Sequence, residues 1–207
     1  MAEGPVGRDP LVSAIYVYYE GDPELKAGYA AFFQAVREAA QRLRIPFRLV
    51  AGQGRVVRDF MIALRANGDA FNVLLLDAER ADDGTLRAEL EGRGDWQPPR
   101  GVIVSPEQVH FMVQCMESWF LADLDALEAY YGQGFHRGSF PANQLIEAVP
   151  KQDVFRALKN ATHNTQKKEY HKTRHAPELL ARIRPAEVRA RSPHCDRLFD
   201  VLLAHLA

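Results

Sequence analysis

Cysteine is scarce: Cys115 and Cys195 are the only two in 207 residues, and neither belongs to a CxxC pair. That excludes a disulfide scaffold and a cysteine zinc site, and it fits a reducing, cytoplasmic location. No apolar run is long enough to span a bilayer, and residues 1–10 carry no signal-peptide pattern. No membrane association is expected. There is no internal repeat and no low-complexity segment. The turn Gly52-Gln53-Gly54 lacks the third Gly of a dinucleotide fingerprint and the Lys-Ser/Thr of a P-loop. With no Walker motif, any ATPase must be a separate chain. Net charge is also nearly absent, at −1, but it is unevenly spread. From Lys151 to Arg191 there are eleven Lys/Arg against four Asp/Glu, an excess of +7, so the remainder carries −8. An acidic front half faces a basic back half.

Against these absences stands one long apolar run, Asn72-Val73-Leu74-Leu75-Leu76, which breaks into Asp77-Ala78-Glu79. Such a run reads as a strand buried on both faces. In an open parallel sheet, ligands bind beyond the carboxyl ends of the strands. On an extended strand, residues two apart point the same way, so Asp77 and Glu79 are expected to face one hard cation. Alone, the pair reads equally well as a helix cap and a solvated charge. A second strand, Leu11 to Tyr19, ends in the same manner with Glu20-Gly21-Asp22. If the two strands are parallel neighbours, Glu20, Asp77 and Glu79 converge. Converging carboxylates require a divalent cation or a retained proton.

Between these strands, apolar residues at helical spacing predict a helix over 23–44, a strand over 47–51 and a helix over 56–67. The order β-α-β-α-β implies parallel strands with right-handed crossovers. Gly52-x-Gly54 is a tight strand-to-helix turn, beside which Arg55 and Arg58 are phosphate-binding candidates. Residues 80–106 form a long connection with a short helix near Leu86–Leu90 and Trp96 as its anchor. His110 to Asp123 passes from a strand into a helix that runs to Tyr131, with Val113, Met116, Phe120, Leu124, Leu127 and Tyr131 on one stripe. His110 is read as structural. Glu117, beside that stripe and near the junction, is expected to point into the acidic site. Asp123 lies about 120° further around a straight helix and is not expected to share it. Helices follow over 152–160, 177–183 and 196–206. Between the first two lies a basic loop, Gln166 to His175, in which Lys167, Lys168, Tyr170, Lys172 and Arg174 interleave. This is a phosphate-binding composition as well as that of a solvated loop. The expected organisation is a flexible tail, 1–10, and one α/β domain, 11–207, with a sheet core to residue 131 and a helical, basic remainder.

The run Met112-Val113-Gln114-Cys115-Met116-Glu117-Ser118-Trp119-Phe120-Leu121-Ala122-Asp123 resembles the signature of the bacterial domain-of-unknown-function family 4276, as do Tyr131-Gly132-Gln133-Gly134-Phe135 and Lys168-Glu169-Tyr170-His171-Lys172. That family is grouped with Toprim-like proteins, the fold of topoisomerases, DnaG-type primases and OLD nucleases. The resemblance implies a Toprim-like, Rossmann-like, mostly parallel sheet flanked by helices. It also implies Mg²⁺- or Mn²⁺-dependent phosphodiester chemistry on nucleic acid, DNA or RNA, in phage defence. Glu20 and Asp77 match the family's acidic positions, while Glu79 departs from an Asp-x-Asp pair. On this reading Asp77 and Glu79 hold the metal, Glu20 is a ligand or general base, and Glu117 is an additional ligand. Lys168, Lys172 or Arg174 balances charge on the phosphate, and Lys167, Tyr170 and Arg55 contact nucleic acid. The alternative is a catalytically silent Toprim-like module that binds nucleic acid or a partner ATPase. A phospho-acceptor receiver domain built on Asp77 fits less well, because it needs an acidic pair after the first strand and only Glu20 serves.

Overall fold

The computed structural model describes residues 12–142 and 145–207. The expected N-terminal tail, together with Leu11, lies outside the described residues. Four strands, β1 (Ile15–Tyr19), β2 (Phe47–Ala51), β3 (Phe71–Asp77) and β4 (Val109–Met112), pair in the order β2-β1-β3-β4, all parallel. This is an α/β, Rossmann-like sheet. Tyr19 of β1 stands opposite Leu75 of β3, so the two acidic strand ends are neighbours as expected.

The reason β3 is central is its composition. It is buried from Phe71 through Leu76. Val73 and Leu75 enter one apolar cluster, Leu74 and Leu76 the other. Alternate side chains thus serve opposite faces, and both faces are covered. One face carries α1 (Leu25–Phe32) and α2 (Gln34–Arg42). Helix α3 (Val56–Ala66) covers the other with Val57, Phe60 and Leu64. A short helix, α4 (Leu86–Glu91), lies in the long connection, where the Arg87 guanidinium sits 5.1 Å over the half-buried ring of Trp96. On the α1 side pack residues of α5 (Leu124–Tyr131), α6 (Lys151–Thr162), α7 (Lys172–Leu180), α8 (Pro185–Arg191) and α9 (Pro193–Ala204).

Three helical expectations change away from the acidic strand ends. The single helix over 23–44 is two, broken at Phe33 with φ −90° and ψ 18°. Phe32 and Phe33 are both fully buried and both reach the ring of Phe199. Successive residues on a continuous helix point about 100° apart, and the break lets both rings enter one core. The helix expected to begin at Pro177 begins at Lys172, with Pro177 inside it. Helix α8 is an addition to the expected set, although Pro185 opens it. His110 is buried, its Nε2 lies 2.9 Å from the Glu107 carbonyl, and burial pushes its pKa down to about 4. It is a structural residue.

Helix α7 is positioned by a close approach to α1. A Cβ on Gly28 would lie 2.7 Å from the Pro177 carbonyl oxygen. Only glycine lets the two backbones come this near, and the contact sets where the first turn of α7 lies relative to the sheet.

Candidate active site

The site lies beyond the carboxyl ends of β1, β3 and β4. After β1 the chain turns at Gly21, whose φ of 141° suits glycine. Glu20 Oε2 accepts a hydrogen bond from the Asp77 backbone N–H at 3.2 Å, so the first acid folds over the end of the neighbouring strand. Asp77 is the last residue of β3, and its Oδ1 accepts from the Met116 N–H at 2.7 Å. Past β4, Met116–Ala122 forms a 3-10 helix, not the α-helix expected. Its second residue, Glu117, has no exposed surface. Glu117 Oε1 accepts from the Tyr170 hydroxyl at 3.2 Å and faces Lys172 Nζ at 3.3 Å. Lys172 Nζ also lies 3.9 Å from Asp77 Oδ2. Glu117 Oε2 is buried with no hydrogen-bond partner.

Electrostatics follow from this crowding. Burial, and then the charge of Glu117, push the Asp77 carboxyl up to about 7, against the pull of Lys172 and the Met116 N–H. Burial disfavours the Lys172 ammonium, but Glu117 and Asp77 outweigh it and hold its pKa above the usual lysine value. Burial first, and then Glu117, keep the Tyr170 phenol protonated well above its ordinary range. Cys115 is likewise pushed up to about 12 by burial and the two carboxylates, which makes it an inert thiol.

The other expected site residues are divided. Glu79 is engaged by Lys151, on which Asp77 also acts. The φ of Glu79 is 63°, so the extended alternation ends at the strand terminus. Tyr170 is 4% exposed and turned inward to Glu117; a ring so buried offers no face to a base, which corrects its expected nucleic-acid contact. Lys168 is exposed, with a φ of 64°, and pairs with none of the carboxylates. Lys167 lies 4.5 Å over the Tyr130 ring, and Arg174 donates to the Lys167 carbonyl at 3.5 Å. Arg55 is exposed at the N-cap of α3. Its turn approaches β1 through a Gly52 N–H to Tyr19 carbonyl bond of 3.1 Å. Asp123 goes elsewhere: it caps α5 and takes three hydrogen bonds from Arg184. Sequence reasoning misses Lys151, which engages Glu79. Its only signal is its place as the first cation of the basic half.

Glu20, Asp77 and Glu117 offer carboxylate oxygens only, the ligand chemistry of Mg²⁺ or Mn²⁺, and Oε2 of Glu117 is buried with no hydrogen-bond partner. In ligand chemistry these residues fit a hard divalent cation. Among the described residues, no group of three or more His, Cys, Asp or Glu stands arranged to hold a metal ion; the positive charge at Asp77 and Glu117 is the Lys172 ammonium.

The fold and site together define an α/β protein with an acidic cluster at the carboxyl edge of a parallel, Rossmann-like sheet. The chain belongs to the family described as Domain of unknown function (DUF4276), which matches residues 26–203. No curated protein and no solved structure matches it. Among the described residues, no helix is long and apolar enough to cross a membrane.

Proposed function

We propose that this chain is a Toprim-like nuclease that cleaves phosphodiester bonds of DNA or RNA with Mg²⁺ or Mn²⁺, acting in the cytoplasm in defence against phage. The observation that carries the reading is the approach of Glu20, Asp77 and Glu117 beyond the ends of β1, β3 and β4, with Lys172 paired to the last two. Asp77 and Glu117 would hold the metal, with Glu20 as a further ligand or general base. A divalent cation there supplies polarisation of the phosphate and a bound water of lowered pKa. The Met116 N–H fixes one Asp77 oxygen and leaves the other facing Lys172. The Tyr170 hydroxyl fixes the Glu117 carboxylate. Lys168, Lys167, Arg174 and Arg55 supply the positive charge that a polyanion needs beside an acidic site, and Lys172 balances charge developing on the phosphate. Glu79, engaged by Lys151, is left without a ligand role.

The competing reading is a catalytically silent module that binds nucleic acid or a separate ATPase chain. One observation favours it: Lys172 pairs with both Asp77 and Glu117. Labelled single- and double-stranded DNA and RNA, incubated with the protein and Mg²⁺ or Mn²⁺, separate the two. A nuclease cuts only with divalent ion, and Asp77→Asn abolishes the cut while sparing binding. Binding with no cleavage under every condition, an ATPase partner included, decides for the silent module.

A further inference from the structure

We propose that the Lys172 ammonium and a divalent cation are alternative occupants of the Asp77–Glu117 pocket, so that metal binding releases Lys172 to meet the substrate's phosphate. The inference rests on the metal reading above and adds a coupling between cofactor and substrate to it.

Glu117 is the starting point. Its side chain has no exposed surface, Oε1 is shared by Tyr170 and Lys172, and Oε2 has no partner. A buried carboxylate in that condition is costly unless a cation compensates it. Among the described residues, Lys172 is the one cation paired with either Asp77 or Glu117; Lys151 is paired with Glu79. The compensation is loose. At 3.3 and 3.9 Å, the ammonium stands beyond the roughly 2.7–2.9 Å of a close charge-assisted bond. One ammonium stands within pairing distance of the two carboxylates, with Lys151 acting on Asp77 from further off and Glu20 folded over the adjacent strand end.

Lys172 is also built to leave. It is the first residue of α7, its side chain is 43% exposed, and its four-carbon stem is flexible. A dication beside Asp77 and Glu117 neutralises them better than an ammonium and repels it at the same distance. The released side chain belongs to the segment that carries Lys167, Lys168 and Arg174. In the exchange, Lys172 leaves the carboxylates and meets the phosphate from that segment. By linkage, metal strengthens phosphate binding and phosphate strengthens metal binding by the same factor.

The test is Mn²⁺ binding without substrate. Calorimetry of the wild type and of Lys172→Met, which keeps the stem and removes the charge, should show the variant binding Mn²⁺ about tenfold more tightly or better, within the usual range of coupling. Because the variant leaves a buried carboxylate uncompensated and can fail to fold, a second measurement uses the wild type. Amine acylation read by mass spectrometry should label Lys172 faster when Mn²⁺ is saturating, relative to Lys159. Equal or weaker Mn²⁺ affinity in folded Lys172→Met, or unchanged Lys172 labelling, overturns the exchange and leaves the metal site standing. No Mn²⁺ binding by either protein overturns both the exchange and the metal reading.

Discussion

The Lys172 ammonium stands 3.3 Å from Oε1 of Glu117, so the most deeply buried carboxylate of the site is balanced by a half-exposed side chain from a distant helix. The asymmetry matters. Removing either partner leaves the other in a different solvent, and the two removals have opposite consequences.

Glu117→Gln keeps the shape of the side chain and an oxygen to accept from Tyr170. Lys172 is left able to turn toward water, so no buried charge is stranded. The metal-free protein should be unchanged or modestly more stable, because the buried carboxylate's desolvation cost is relieved and the charge left behind, on Lys172, reaches water. Urea unfolding in the presence of a chelator measures it. A midpoint clearly below the wild type would mean that the pair is net stabilising as it stands.

Salt dependence tests the basic segment separately from the metal. Lys168 and Arg174 are exposed and engage none of the site carboxylates. Replacing both with Ala should weaken binding to DNA. It should also flatten the log–log dependence on salt by about 0.9 for each duplex phosphate that the variant no longer neutralises. Filter binding across a salt series would give the slope. An unchanged slope would falsify the phosphate role of these two residues.

A second cluster sets a pH window for stability. His194 Nδ1 lies 2.8 Å from Glu147 and Nε2 lies 3.0 Å from Asp82, while Ser192 donates to Glu147 at 2.5 Å. The hydrogen bond to Glu147 raises the His194 pKa above 6.5, against burial. Burial works against the Glu147 carboxylate, but the bonds from His194 and Ser192 outweigh it and hold its pKa below 4.5. A raised histidine contributes stability that is fully present below its unfolded pKa and is lost as pH rises through the folded value. A depressed carboxylate contributes stability present above its unfolded pKa and lost as pH falls through the folded value. The contribution of this cluster therefore peaks between the two. Melting temperatures of the wild type and His194→Gln should differ most in mildly acidic buffer and converge as pH rises past neutrality. Parallel curves across that range would show that the clasp does not titrate as argued.

Gly28→Ala tests the seat of α7. The added Cβ meets the Pro177 carbonyl at 2.7 Å and Leu180 Cβ at 3.0 Å, and a backbone atom cannot swing aside. Overpacking costs about 1–3 kcal/mol, while helix propensity returns at most about 1 kcal/mol. The net effect should be destabilising, read as a lower urea midpoint. A midpoint equal to or above that of the wild type would mean that α1 and α7 separate freely.

The division between local and long-range information is visible residue by residue. Glu20 and Asp77 are legible because each ends an uninterrupted apolar run, and an apolar run of that length declares a buried strand on its own. The parallel pairing of β1 with β3 follows from the alternation of strand and helix patterns. Glu117 is legible as a carboxylate beside an apolar stripe; the separate place of Asp123 is not, because its expected angle assumed an α-helix where the chain forms a 3-10 helix, and Arg184 holds it instead. Glu79 is not legible either, because the rule that residues two apart share a face holds only while the backbone stays extended, and Glu79 has a φ of 63°. The break at Phe33 is also hidden, since helical periodicity does not say when two adjacent aromatics must enter the same core.

By itself, then, the sequence determined the α/β class, the alternation of strands and helices through the first three strands, and the acids at the carboxyl edge, all of which rest on periodicities within a few residues. Tertiary structure alone decided which cation meets which acid. Composition makes Tyr170 and Lys172 look like solvent-facing members of a basic loop. The approach of α7 to α1 at Gly28 carries them over the sheet edge instead, where Tyr170 is buried on Glu117 and Lys172 contacts Glu117 and Asp77. An ion pair depends on distance and burial, and both are set by how helices pack, not by which residues neighbour each other along the chain.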